Sequence, residues 1–243
     1  MDGTGNPRGE VNKARRYLLG AIPVAALTLA ACGSEKSDET GMQEGMQDDI
    51  PPPSPSTPEE AIEVLIEGNK RFEAREPQVR STAQIDAIWT EATDGQTPFA
   101  TVLGCADSRL APEVIFDQFV GDVFVVREAG NIAVSPTNLG SLEFGQAVLK
   151  SKTIVVLGHS SCGAVKAAFE NATPGGNIQA VVDAIKPGIV GASDLDDAIV
   201  RNVRATIDTI RKDSPLLNDA EQAGDVKIVG AFYDFTKGKA RFL

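Results

Sequence analysis

Three short runs, Phe99–Leu103, Val123–Val126 and Thr153–Leu157, are apolar at nearly every position and rich in valine and isoleucine. A strand with one wet face alternates apolar and polar residues; these runs do not, so they read as strands buried on both faces of a parallel sheet covered by helices. The stretches between them have helical spacing, as in Asn138 to Lys150 with Leu139, Leu142, Phe144 and Val148. Beyond residue 162 a long helical stretch is interrupted at Thr173-Pro174-Gly175-Gly176 and Lys186-Pro187-Gly188, and Asp196 to Lys212 forms another helix. Val226 to Tyr233 reads as a further strand, Phe235 to Lys239 as a turn, and Ala240 to Leu243 as the return strand of a hairpin. The alternation predicts an α/β fold, a mostly parallel central sheet flanked by helices with a C-terminal hairpin.

Order is expected to begin near Thr57, which can cap a helix whose first residue is Pro58 and whose Glu60 closes a capping box. That helix runs to about Ala74, and a weaker one covers Ala83 to Ala92. Upstream the chain reads differently. The pair Arg15-Arg16 precedes an uncharged stretch, Leu18 to Ala31, too short to span a bilayer comfortably. The stretch ends in Leu29-Ala30-Ala31-Cys32. Basic pair, apolar run, small residues and cysteine resemble a twin-arginine lipoprotein signal, residues 1–32, with Cys32 as the lipidated residue. Residues 33–56 are acidic and proline-rich and read as a disordered tether. The expectation is an exported domain, residues 57–243, periplasmic or otherwise extracytoplasmic, held to the membrane only through a lipid at Cys32.

Charge and composition narrow the partners. The formal net charge is -11, and no useful block of Lys or Arg follows residue 16, which argues against nucleic acid. Aromatic residues make up 5%, too few for a stacking platform. Three cysteines make no disulfide framework.

Two of those cysteines and the only histidine lie in two short runs, Cys105-Ala106-Asp107-Ser108-Arg109 and Gly158-His159-Ser160-Ser161-Cys162-Gly163. Each run follows an expected strand, where open α/β sheets place their ligand sites. Thiolate and imidazole donors suit zinc, and Cys105, His159 and Cys162 would leave a fourth position for water or substrate. Asp107 is placed either to accept a hydrogen bond from metal-held water or to close the site as a fourth ligand. Arg109 can hold Asp107 in a forked ion pair that keeps it off the metal. Three other readings compete: a Cys105–Cys162 disulfide favoured by export, a redox dithiol, and a non-catalytic zinc scaffold. Ser160 and Ser161 invite a nucleophile reading, but the one histidine is taken by the metal. Arg127 reads chiefly as a structural residue at a strand end, with a carboxylate across an interface as the alternative. Gly130, Gly158 and Gly163 read as places of close backbone approach.

Cys-Ala-Asp-Ser-Arg at 105–109 and His-Ser-Ser-Cys-Gly-Ala at 159–164 resemble the zinc signatures of the β-class carbonic anhydrases. Gly68-Asn69-Lys70-Arg71-Phe72, Val125 to Asn131, and Gly230 to Asp234 with Thr236 to Lys239 are similar to further segments of that family. The resemblance covers about Thr57 to Leu243. It implies zinc held by Cys105, His159 and Cys162, a catalytic pair of Asp107 and Arg109, and reversible hydration of carbon dioxide to bicarbonate and a proton by zinc-bound hydroxide. It also implies a homodimer or tetramer, with N-terminal helices wrapping a partner. Hydrolysis of carbon disulfide or carbonyl sulfide is the rival within the fold. Glu128 departs from the asparagine or small residue of many relatives. Gln118 and Phe119 are the candidates for a substrate hydrogen bond that a glutamine makes in some relatives.

Overall fold

The computed structural model describes residues 53–243. The signal reading, and all of the tether before residue 53, lie outside the described residues. Residues 53–56 have no regular structure, and Ser56 already donates through its backbone N and its hydroxyl to Glu60.

The first helix, α1 (Pro58–Ala74), starts as its residues dictate. Thr57 Oγ1 accepts from the Glu60 backbone N, and the Glu60 carboxylate accepts from the Thr57 backbone N. The helix buries Ala61, Leu65, Gly68 and Asn69. A second helix, α2 (Thr82–Ala92), is capped by Ser81 but buries no residue. The chain then runs β1 (Ala100–Gly104), α3 (Pro112–Ile115), β2 (Val123–Arg127), α4 (Pro136–Glu143) and β3 (Thr153–His159). It continues as α5 (Gly163–Phe169), α6 (Gly176–Ile185), α7 (Leu195–Asp213), α8 (Pro215–Ala223), β4 (Lys227–Asp234) and β5 (Lys239–Phe242).

The strands form one sheet in the order β2-β1-β3-β4-β5. The first four are parallel, and β5 returns antiparallel beside β4 as the expected hairpin. Strand β3 sits at the centre with all seven residues buried. Its residues divide between two apolar clusters: Val155 and Leu157 pack on one face, Ile154 and Val156 on the other. That division explains why the strand shows no apolar–polar alternation.

Three elements differ from the sequence reading. Strand β2 is at the sheet edge and only half-buried, because it pairs with β1 alone. The helix expected over Asn138–Lys150 starts at Pro136 and widens into a π turn over Phe144–Val148, where Gly145 lies against Thr101. Helix α8 was not expected. It buries one residue, Leu217, too little to make an apolar period, and Ser214 both ends α7 and caps α8.

Helix α7 lays Ala198, Ile199, Asn202, Val203, Thr206, Ile207 and Ile210 toward the sheet. The approach is close at Gly158, where a Cβ would stand 2.6 Å from Val203 Cγ2 and 3.0 Å from Ile199 Cγ2. Gly158→Ala is therefore expected to cost about 1–3 kcal/mol by overpacking a closed core. Urea unfolding checks this, and an unchanged midpoint contradicts the close contact.

Candidate metal centre

Strands β1 and β3 are neighbours, with Gly104 opposite Leu157. Cys105 is the first residue past β1, whereas β3 runs two residues beyond the expected Leu157, so His159 is its last residue and does not follow it. A tight turn with Ser161 at φ 55 then brings Cys162 to the start of α5. The result is that Cys105 Sγ, Cys162 Sγ and a ring nitrogen of His159 lie within 4.8 Å of one another. All three residues are buried.

The donors fit a zinc ion. The sulfurs are 4.0 Å apart and both thiols are free, which excludes the disulfide reading for this structure. Tetrahedral zinc with sulfur ligands at about 2.3 Å would set the two sulfurs about 3.8 Å apart. His159 Nδ1 lies 3.0 Å from the Ser160 carbonyl oxygen, which places the ring proton on Nδ1. Among the described residues Nε2 has no hydrogen-bond partner and is left as a buried lone pair. Such an orphan is costly unless a cation takes it.

The thiols show the same need. The Cys162 thiol, above all, donates to Cys105 and lowers its pKa to about 4 against the effect of burial. That same shared proton, with burial, pushes Cys162 up. Without a cation the pair thus holds a single negative charge. The Gly130 N–H also donates to Cys105 Sγ at 3.3 Å.

Asp107 and Arg109 stand at the rim. Arg109 Nε donates to Asp107 Oδ1 at 2.9 Å, a terminal guanidinium nitrogen to Oδ2 at 2.7 Å, and the Arg109 backbone N to Oδ1 at 3.0 Å. The guanidinium, more than any other group, holds the Asp107 carboxyl well below the usual carboxylate range. Asp107 Oδ2 is 3.9 Å from His159 Nε2, beyond hydrogen-bond reach. Of the two placements the sequence leaves open for Asp107, the structure has the forked pair.

Arg127 is a brace for this loop. From the end of β2 its guanidinium donates to the carbonyls of Cys105, at 3.1 Å, and Asp107. Gly130 is the close approach expected of it: at φ 74, a Cβ there would lie 2.6 Å from Ile185 Cδ1. Its carbonyl accepts from the buried Asn202 of α7 at 2.8 Å. Ser160 Oγ accepts from the Phe235 backbone N, a structural bond. Glu128 accepts from Asn138 Nδ2. Gln118 donates to the Phe116 carbonyl, and Phe119 lies under the Arg80 guanidinium; neither bonds to the cluster within this chain. Sequence reasoning missed Asn202 and Phe235, one inside a helical period and the other inside a turn signal.

The chain is similar to known proteins over most of its described length. A family model described as carbonic anhydrase covers residues 100–240. Carbonic anhydrase 2 of Mycobacterium tuberculosis is 40% identical over 194 residues, covering 76% of this chain and 92% of that protein. The solved Coccomyxa β-carbonic anhydrase in complex with acetazolamide superposes with TM-score 0.59 at 26% identity, covering 74% of this chain and 84% of that one. One of the tetrameric β-carbonic anhydrases from Sordaria macrospora shares the fold, with TM-score 0.59 at 23% identity, over 75% of this chain and 96% of that one.

Metal-free, reduced protein is expected to carry Cys105 as a thiolate and Cys162 as a thiol at neutral pH. Ultraviolet thiolate absorbance followed during acidification checks this. A signal lost near pH 4 and missing from Cys105→Ser agrees; no thiolate below the ordinary thiol range contradicts it.

Proposed function

The chain belongs to the β-class carbonic anhydrases, and from that premise we propose that Cys105, His159 and Cys162 hold the zinc at which it hydrates carbon dioxide reversibly to bicarbonate and a proton. The observation that carries the site assignment is the unpartnered His159 Nε2, buried and facing two thiols. A bound zinc ion supplies Lewis acidity that brings the ionisation of water toward neutral pH.

The chain's own groups do the rest. Cys105 and Cys162 give up their shared proton to become two thiolates, which with neutral His159 balance a divalent cation. Arg109 keeps Asp107 ionised, so Asp107 is acceptor-only. Its Oδ2, at the rim, takes a hydrogen bond from the reacting water and orients it. Arg127 and Gly130 fix the loop and the sulfur of Cys105 from behind. The comparisons give no support to hydrolysis of carbon disulfide or carbonyl sulfide, or to a non-catalytic scaffold.

We assign the working unit to a homodimer or tetramer. Support comes from α2, which buries nothing and leaves Trp89 62% exposed, from the half-covered edge strand β2, and from the tetrameric relatives. Residues 1–56 support the reading of an exported enzyme tethered outside the cytoplasm through a lipid at Cys32. A lipid there, followed by an acidic, proline-rich segment, would hold the domain beside a membrane without inserting it.

Stopped-flow hydration of carbon dioxide tests the proposal. Purified protein is expected to contain one zinc per chain and to be active, with Asp107→Asn lowering kcat/KM about 100-fold. Inactive, zinc-loaded wild type at every pH contradicts it. The proton must leave without a second imidazole, since the chain has one histidine and it is fully buried. Turnover is therefore expected to rise with the concentration of an imidazole-type buffer until saturation; turnover indifferent to buffer contradicts this.

A further inference from the structure

Phe235 sits in the turn after β4, and its ring touches two groups of the metal site at once. The Arg109 guanidinium carbon lies 4.4 Å from the ring centroid, over its face. The His159 ring meets it edge-on, with centroids 5.1 Å apart. The residue is itself held to the end of β3. Its backbone N donates to Ser160 Oγ at 3.1 Å, and the Tyr233 ring packs against it at 5.2 Å.

The Arg109 side chain is 54% exposed, and an ion pair so open to water holds its geometry weakly by itself. A guanidinium offers its edge to a carboxylate and its face to an aromatic ring, and the two contacts do not compete. Asp107 takes the edge and Phe235 the face. Asp107 Oδ2 is only 3.9 Å from His159 Nε2, so the carboxylate stands beside the three donors that would hold the metal.

Resting on the zinc reading above, we propose that Phe235 is a positioning residue: its ring face fixes the Arg109 guanidinium and thereby holds the Asp107 carboxylate away from the fourth ligand position. A leucine side chain would keep an apolar contact with His159 but offer Arg109 no π face.

The test compares Phe235→Leu with Phe235→Tyr in the full chain. The leucine variant is expected to keep its zinc and lose about three- to tenfold in kcat, with tyrosine restoring it to within about twofold. The second readout is the Arg109 Nε–H resonance, assigned by its absence in Arg109→Lys and recorded with and without zinc. In wild type and Phe235→Tyr it is expected to be ring-shifted and slow to exchange; in Phe235→Leu it moves and exchanges faster. A leucine variant equal to wild type in either readout overturns the proposal, as does a tyrosine variant that restores neither. A wild type that binds no zinc fails the zinc reading instead, and the metal-free Arg109 resonance still decides whether Phe235 fixes the guanidinium.

Discussion

Three buried donor atoms within 4.8 Å of one another leave this fold with a charge problem that the chain alone does not solve. Two thiols share one proton between them, and one imidazole nitrogen has no hydrogen-bond partner among the described residues. A soft divalent cation resolves both at once: it permits two thiolates and occupies the orphan lone pair. The alternatives fare worse on the same atoms. A disulfide would leave His159 Nε2 unpartnered, and a dithiol would keep the proton-sharing pair buried without purpose.

The sheet exists around that cluster in a literal sense. Parallel pairing of β1 with β3 sets Gly104 opposite Leu157, so Cys105, just past β1, emerges beside the end of β3 that carries His159. Everything nearby then restricts motion. Arg127 grips two carbonyls of the Cys105 loop, Asn202 reaches from α7 to the Gly130 carbonyl, and Gly130 presents its N–H to sulfur. These contacts orient the donors before any metal arrives, which is the arrangement that tunes metal sites. The open edge is equally informative: β2 and α2 have apolar faces that the chain leaves half-covered, the physical basis for reading the enzyme as an assembly.

Much of this was legible in residues alone. β3 could be read as buried on both faces because its side chains feed two clusters. The capping box at Thr57 and Glu60 marked the start of α1 to the residue. Cys105, His159 and Cys162 announced themselves by donor chemistry and by lying just past the expected strands, although β3 in fact takes in His159. What stayed hidden depends on contacts across the chain. The edge position of β2 is a matter of strand order, which a local pattern does not encode. Arg127 is the structural residue at a strand end that it was read to be, but its carbonyl partners leave no mark in sequence. Phe235 looked like part of a turn, since only the folded chain shows it over Arg109.

The chemistry of this site depends on a metal ion seated between the two sulfurs and the imidazole. Anomalous diffraction from crystals of the reduced, chelator-free protein, recorded on both sides of the zinc absorption edge, tests this most directly. A single difference peak per chain between Cys105 Sγ, Cys162 Sγ and His159 Nε2, present above the edge and gone below it, is the predicted result. Empty density at that point, with unoxidised sulfurs, would contradict it.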